Sequence, residues 1–267
     1  MTTKLLMVGG GKMGEALLGG LLGSGWATAS ELAVIEPIAG RRDELAERFP
    51  GIAVAAEFSG SSTAGAVIAV KPQHVEAACT TIGRFVGAGR VLSIAAGVTI
   101  ARLESWLPAG TRVVRSMPNT PALIGAGASA IAGGTSADDD DLAWAQAVLG
   151  AVGTVVRVGE GSLDAVTGLS GSGPAYVFLV AEALIEAGVL NGLPRDVSSA
   201  LAIQTLVGSA RLLAESGDGP EALRAAVTSP GGTTAAGLRA LEDRAVRAAF
   251  LAAVTAATER SRQLGAG

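Results

Sequence analysis

The stretch that most constrains this chain is residues 4–14, KLLMVGGGKMG. A short apolar run at 4–8 ends in glycines, and residues 12–24 then carry small and apolar side chains on one helical face. The glycines Gly9, Gly11 and Gly14 fall in the spacing G-x-G-x-x-G. In that spacing one glycine makes a tight turn, one lets a pyrophosphate approach the backbone, and one lets the helix pack closely on the strand. Lys12 and Met13 open the helix, whose first amides point toward the anion. In a chain with 38 glycines the spacing alone says little. Its place between a first strand and a first helix makes it a candidate dinucleotide cradle.

The pattern downstream agrees. Apolar runs at 31–36, 65–70, 90–94 and 111–115 read as strands. Segments at 41–49, the stretch after Pro72, and 99–107 read as helices between them. Strand–helix alternation predicts a parallel sheet covered on both faces. Residues 126–132 and 153–158 are expected to add strands around a helix at 138–150. The acidic run Asp138–Asp141 sits at the start of that helix, where carboxylates cap free amides and favour the dipole.

After residue 160 the pattern changes. Ala/Leu-rich segments at 172–190, 195–215, 219–227 and 232–264 read as helices, separated by Asn-Gly-Leu-Pro, Gly-Asp-Gly-Pro and Ser-Pro-Gly-Gly turns. The chain of 267 residues is long enough for two domains. The expected division is a doubly wound α/β domain of Rossmann type over 1–160 and an all-α domain over 161–267. Several of the later helices are apolar on more than one face, too much to hide within about 110 residues, so that surface is expected to be a subunit interface.

Composition excludes other classes. Net charge is −4 and aromatics are 3%, so neither a broad basic surface nor a base-stacking platform is available for nucleic acid. Mean hydropathy is +0.46, yet no stretch of about 18 residues reads as free of charges and clustered glycines, so no membrane span is expected. One cysteine, Cys79, and one histidine, His74, cannot make a disulfide or an ordinary zinc site. A reducing, cytoplasmic setting is expected.

Further candidate residues lie at strand ends. Glu36 is 22 residues after Gly14, near the spacing of a ribose-binding acid, which favours NADH; Arg41 and Arg42 follow closely and suit the 2′-phosphate of NADPH. The choice between the two stays open here. Ala69-Val70-Lys71-Pro72 ends a central strand, where ligands bind in such sheets. Ser116-Met117-Pro118-Asn119-Thr120-Pro121 is a stiff loop carrying Asn and Thr. Two Gly/Ser/Thr-rich runs, 168–176 and 228–234, each lead into a helix and suit a small anion such as a carboxylate.

Four strings resemble those of the pyrroline-5-carboxylate reductase family: GVTI at 97–100, MPNTP at 117–121, DAVTGLSGSGPAY at 164–176 and VTSPGGTT at 227–234. The resemblance runs from the first strand to about residue 264. It implies hydride transfer from NADPH or NADH to the C5 imine carbon of 1-pyrroline-5-carboxylate, giving L-proline, the last step of proline biosynthesis. It also implies a homodimer formed through the helical domain, with dimers assembling further into decamers. By that resemblance, amides around Gly231, Gly232 and Thr233, with Ser229, hold the substrate carboxylate, and Thr234 bonds the ring nitrogen and can relay a proton. Ser172 and Gly173 help form the pocket. Ala69, Ala95 and Asn119 sit near the nicotinamide half of the cofactor.

The one departure is Glu36, where NADPH-preferring members often carry a neutral polar residue. A β-hydroxyacid dehydrogenase would need a lysine base in the helical domain; the three lysines, Lys4, Lys12 and Lys71, all lie in the first half. A reductase of a related cyclic imine and a non-catalytic nucleotide-binding oligomer are the remaining alternatives.

Overall fold

The computed structural model describes residues 3–60, 62–87 and 89–266. It divides into two compact units, Met1–Ser172 with Ala256–Gly267, and Gly173–Thr255. This differs from a simple cut at residue 160, for a physical reason. Leu163 is 1% exposed and clusters with Ile100, Ala130 and Ala132. The Ser261 hydroxyl donates to Asp164 at 2.6 Å. Both the segment after 160 and the end of the last helix are thereby built into the first unit.

The first unit is an eight-stranded sheet. Its strands are β1 (Leu5–Val8), β2 (Leu32–Ile35), β3 (Ala53–Ala55), β4 (Gly65–Ile68), β5 (Arg90–Ser93), β6 (Arg112–Met117), β7 (Gly127–Gly133) and β8 (Gly153–Arg157). The spatial order is β3-β2-β1-β4-β5-β6-β7-β8. Strands β1, β2 and β4 are buried at every residue, as parallel strands covered on both faces must be. Period two then sorts the side chains. Leu5 and Met7 join one core with Leu17, Leu18 and Leu21 of α1 (Lys12–Gly23) and Val148 and Leu149 of α5 (Asp139–Gly150). Leu6 and Val8 join the other, with Val75, Cys79 and Ile82 of α3 (Val75–Val86) and Leu103 of α4 (Ile100–Trp106).

Two expectations need correction. The sheet is only mostly parallel: β6 and β7 pair antiparallel, and β8 runs parallel to β7. Only the short turn Thr120–Ile124 and its flanks join β6 to β7, and a connection that short cannot make a parallel crossover. The sequence reading also omits β3, a three-residue edge strand with exposed ends, and too short to show a period. Helix α2 (Ala39–Arg48) lies between β2 and β3. The acidic run does cap α5: Asp138 accepts from the Asp141 amide at 3.0 Å, while Asp141, fully buried, pairs with Arg90 at 2.6 Å and Arg112 at 3.4 Å.

After α6 (Leu163–Val166) and a π turn at Thr167–Gly171 come α7 (Gly173–Leu190), α8 (Arg195–Glu215), α9 (Pro220–Ala226), α10 (Thr233–Asp243) and α11 (Val246–Ala266). The expected helix at 232–264 is broken at Arg244-Ala245, where Ala245 adopts φ +54. Within the second unit, α7 and α8 close on a small-residue contact: the Ser198 hydroxyl donates to Ile185 O at 2.8 Å, and a methyl group on Gly188 would collide with it. Among the described residues of α7 to α10, only Ser198 is buried. Phe178, Leu179, Leu190 and Leu251 are 62, 64, 86 and 72% exposed. By length and composition alone Glu160–Leu190 and Arg195–Glu215 would suffice to cross a membrane, two stretches that the reading of the sequence did not single out.

Candidate active site

The three glycines of the first turn do three separate jobs. Gly9 has φ +102, and a Cβ there would lie 2.6 Å from Ala69 O, so only glycine fits between β1 and β4. A Cβ on Gly14 would run into the Gly9 carbonyl, so its absence lets α1 start against the turn. Gly11 meets nothing within 4 Å. It caps α1 without a side-chain hydrogen bond, leaving an open side beside unpaired first-turn amides. Lys12 is exposed and Met13 half-buried at this opening. Open space beside free amides at a helix start fits a pyrophosphate.

Glu36, one residue beyond β2, is 6% exposed. Its carboxylate accepts the Gly10 amide at 2.9 Å through Oε2 and the Ile38 amide at 3.0 Å through Oε1. Arg41 reaches over the same turn, donating from Nε to Gly10 O at 2.7 Å. Its other nitrogens bond Glu15 and, at 2.6 Å, Glu44. These bonds, that to Glu15 first, push its pKa above the usual value. Arg42 donates to the carbonyls of Glu36 at 3.0 Å and Pro37 at 2.8 Å. Both arginines near the ribose position therefore already serve internal acceptors. Glu15, on α1, went unread in the sequence because ion pairing between separate helices has no local signature; Glu44, three residues after Arg41 on α2, carried the i,i+3 signal that the reading passed over.

At the carboxyl ends of the next strands, Ala69 hydrogen-bonds Val8 O at 2.8 Å, Val70 is half-buried, and Lys71 and Pro72 are exposed. Ala95 is 3% exposed, after β5, with its amide on the Ser93 hydroxyl at 3.3 Å. Pro72 and Ser172 line one cavity of about 500 Å³ in the first unit, together with Gln73, Arg102, Trp106 and Arg260. The structure thus brings a residue assigned to the cofactor and one assigned to the substrate to a single opening. The sequence reading misses Arg102 and Trp106, one turn apart on α4, and the 257-260-261-264 stripe of α11 that completes the wall. Helical spacing was their only signal, and in an Ala-rich chain it is shared by every face.

Asn119 sits just beyond β6, half-buried. Its Oδ1 accepts the Ala128 amide at 2.8 Å and its Nδ2 donates to Ser170 O at 3.1 Å. His74 is exposed, while Cys79 is buried in α3, where desolvation pushes its thiol pKa up to about 12. Neither belongs to this site.

In the second unit, Gly231 has φ +70 and Gly232 caps α10 with no side-chain bond. The Gly232 amide donates to Ser229 O at 3.1 Å. A cavity of about 340 Å³ here is lined by Gly231, Gly232, Ala235, Ala236 and Arg239. Thr233 and Thr234 open α10, Thr234 half-buried. A glycine turn, free amides and an arginine together favour a small carboxylate.

Comparison with known proteins agrees with both halves. Residues 160–264 match the family described as pyrroline-5-carboxylate reductase dimerisation, and residues 4–97 match NADP oxidoreductase, coenzyme F420-dependent. The chain is 42% identical to the pyrroline-5-carboxylate reductase of Synechocystis, covering 99% of both chains. The structure of the Coxiella burnetii pyrroline-5-carboxylate reductase superposes with TM-score 0.93 at 34% identity over 99% of both chains. The Plasmodium falciparum pyrroline carboxylate reductase, solved with NADP bound, gives 0.83 at 30% identity over 98% of both. A dinucleotide cradle, a glycine-rich anion turn in a helical unit, and likeness along the whole chain together place this protein in the pyrroline-5-carboxylate reductase family.

Proposed function

We infer that this chain is an NAD(P)H-dependent oxidoreductase that reduces 1-pyrroline-5-carboxylate to L-proline, the last step of proline biosynthesis. The observation that carries this is the presence of both an open Gly11 turn and a free-amide turn at Gly231–Thr234 in a chain that matches the family along 99% of its length. When bound, the reduced nicotinamide supplies a hydride to the C5 imine carbon, and the ring nitrogen gains a proton.

The protein's share is binding, alignment and water exclusion. Gly9, Gly11, Lys12, Met13 and Gly14 hold the pyrophosphate. Ala69, Val70, Lys71, Pro72 and Ala95 bound the nicotinamide half. Gly231, Gly232, Thr233 and Ser229 hold the substrate carboxylate, Ser172 and Gly173 shape the pocket, and Thr234 bonds the ring nitrogen. An imine can be protonated before reduction, so no strong general acid is obligatory.

The buried carboxylate of Glu36 and the neutralised guanidinium of Arg41 favour NADH. A 2′-phosphate would face a negative charge and would compete with Glu15 and Glu44 for Arg41. As functional domains we take 1–160 for the dinucleotide and 161–267 for substrate and dimerisation. The same reading has dimers associating into decamers in the cytoplasm, with the apolar helices covered by a second subunit, not by lipid or nucleic acid. The test is oxidation of NADH and NADPH, in parallel, by pyrroline-5-carboxylate. Turnover with a higher kcat/KM for NADH supports the reading. Folded protein that binds NADH and turns over neither cofactor overturns it.

A further inference from the structure

We propose that Asn119 is a positioning residue that fixes the turn carrying Ser172 and makes no contact with the nicotinamide; this rests on the reading that Ser172 belongs to the substrate pocket. In an α-helix each carbonyl accepts from the amide four residues on. For Ser170 that residue is Pro174, which has no N–H. The chain leaves α geometry at this point. Thr167–Gly171 forms a π turn, closed by the Ser172 amide donating to Thr167 O at 2.8 Å. The donor that Pro174 lacks comes from Asn119, whose Nδ2 reaches Ser170 O at 3.1 Å.

Asn119 is itself held by the Ala128 amide of β7, 2.8 Å from Oδ1. An amide that must accept on one side and donate on the other has a single satisfactory orientation. Aspartate has no donor for Ser170, and serine is too short to span both partners. The grip has a second point one residue along. A Cβ on Gly171 would lie 2.6 Å from Met117 Cε, so Gly171 seats directly against the end of β6. Met117 and Asn119 thus hold residues 171 and 170 in turn, and Ser172, on the cavity wall, follows. A π turn interrupting a helix beside a binding cavity is a frequent functional device. Here its shape is set from the sheet.

The experiment is a double-mutant cycle on the full-length enzyme, with pyrroline-5-carboxylate kinetics and NADH Kd from its fluorescence on binding. Asn119→Ala is expected to lower kcat/KM for the imine by about ten- to a hundredfold while NADH Kd moves by less than about twofold. Pro174→Ala gives residue 174 an N–H, so Ser170 no longer depends on Asn119. In that background the Asn119→Ala loss is expected to shrink by at least about threefold. A rise in NADH Kd that matches the fall in kcat/KM would mean that Asn119 contacts the cofactor, and overturns the proposal. So do losses that simply multiply in the double variant. Should Asn119→Ala fail to fold, Asn119→Asp, which keeps the acceptor for Ala128, carries the same comparison. Wild-type turnover in the same assay separates the two readings. An inactive wild type removes the imine activity, and an active one with multiplying losses removes only the role of Asn119.

Discussion

In the first unit, Leu17, Leu18 and Leu21 of α1 are at most 1% exposed, whereas in the second Leu179, Leu190 and Leu201 are 64, 86 and 57% exposed. Both sets are leucines on long helices. The first set meets a sheet whose two faces are covered within the unit, so its fold is complete in one chain. The second set meets only neighbouring helices too few to cover it. Burying one such side chain contributes about 1.5–3 kcal/mol, and the second unit forgoes that gain many times over. Its region matches a dimerisation family and supports a homodimer. One unit owns its core, and the other leaves apolar faces open to a second copy.

The largest effect that would break this contrast is therefore on assembly. Leu251→Glu, on α11 within the second unit, is expected to convert the dimer to monomer or aggregate and to abolish turnover. Val156→Lys on the exposed edge strand β8, also an apolar-to-charged change at an exposed site, is expected to leave the sedimentation coefficient and activity unchanged. A dimeric Leu251→Glu protein would mean that the exposed face of the second unit is not where two copies meet.

Next in size is the first unit's own integrity. Asp141 is fully buried, with Arg90 and Arg112 as partners whose side chains are 29 and 35% exposed. Asp141→Ala takes the buried carboxylate away from the guanidinium groups of Arg90 and Arg112 and removes the bond it accepts from the Asp138 amide. The expected loss is about 2–3 kcal/mol, the figure for a broken buried pair discounted for the exposure of the arginines. Thermal or urea unfolding of the dimer checks it. A loss this local should leave dimerisation intact, and loss of the dimer at constant stability would contradict the independence of the first unit.

What the sequence disclosed follows the same line between the units. In the first, strands β1, β2, β4 and β5 are short apolar runs, β1 stopped by glycine, β2 by Glu-Pro and β4 by Lys-Pro, and the Gly9-Gly11-Gly14 spacing carries its own geometry. These are local signals, and they placed most of the sheet and the cradle. The reversed β7 and β8 were hidden because strand direction is a property of connections, not of residue pattern. Occupation of Arg41 by Glu15 was hidden because it joins α1 to α2 across 26 residues. In the second unit helix positions were legible, but the break at Ala245 was not, since a residue other than glycine seldom takes a positive φ and alanine is the best helix former. There the turn at 228–234 was legible by its likeness to a family.

Two smaller effects separate the chemical parts. Thr234→Ala in the second unit's turn is expected to lower kcat/KM by about ten- to a thousandfold at constant stability, one to three terms of about 1.4 kcal/mol each. Unchanged kinetics would remove its role. Glu36→Ser in the first unit is expected to raise the NADPH/NADH ratio of kcat/KM by about tenfold, because the charge facing a 2′-phosphate is gone. An unchanged ratio would show that Glu36 only braces the Gly10 and Ile38 amides.

The smallest effect probes how tightly the first unit is closed. Cys79 is fully buried in α3 against β4 and β5, and desolvation, with a smaller contribution from Glu76, raises its thiol pKa from 9.0 to about 12. A thiolate is disfavoured in the folded state, so the native protein holds a proton that the unfolded chain releases. Stability from this group is full below pH 9 and falls as pH rises toward 12, by about 1.4 kcal/mol per pH unit. The slope of unfolding free energy against pH in that window should be one proton steeper for wild type than for Cys79→Ala. Alkylation at neutral pH should likewise be slow in the native dimer and fast in denaturant. A thiol that reacts at the same rate in both would mean that the sheet opens at α3, and that the first unit, like the second, leans on its partner for closure.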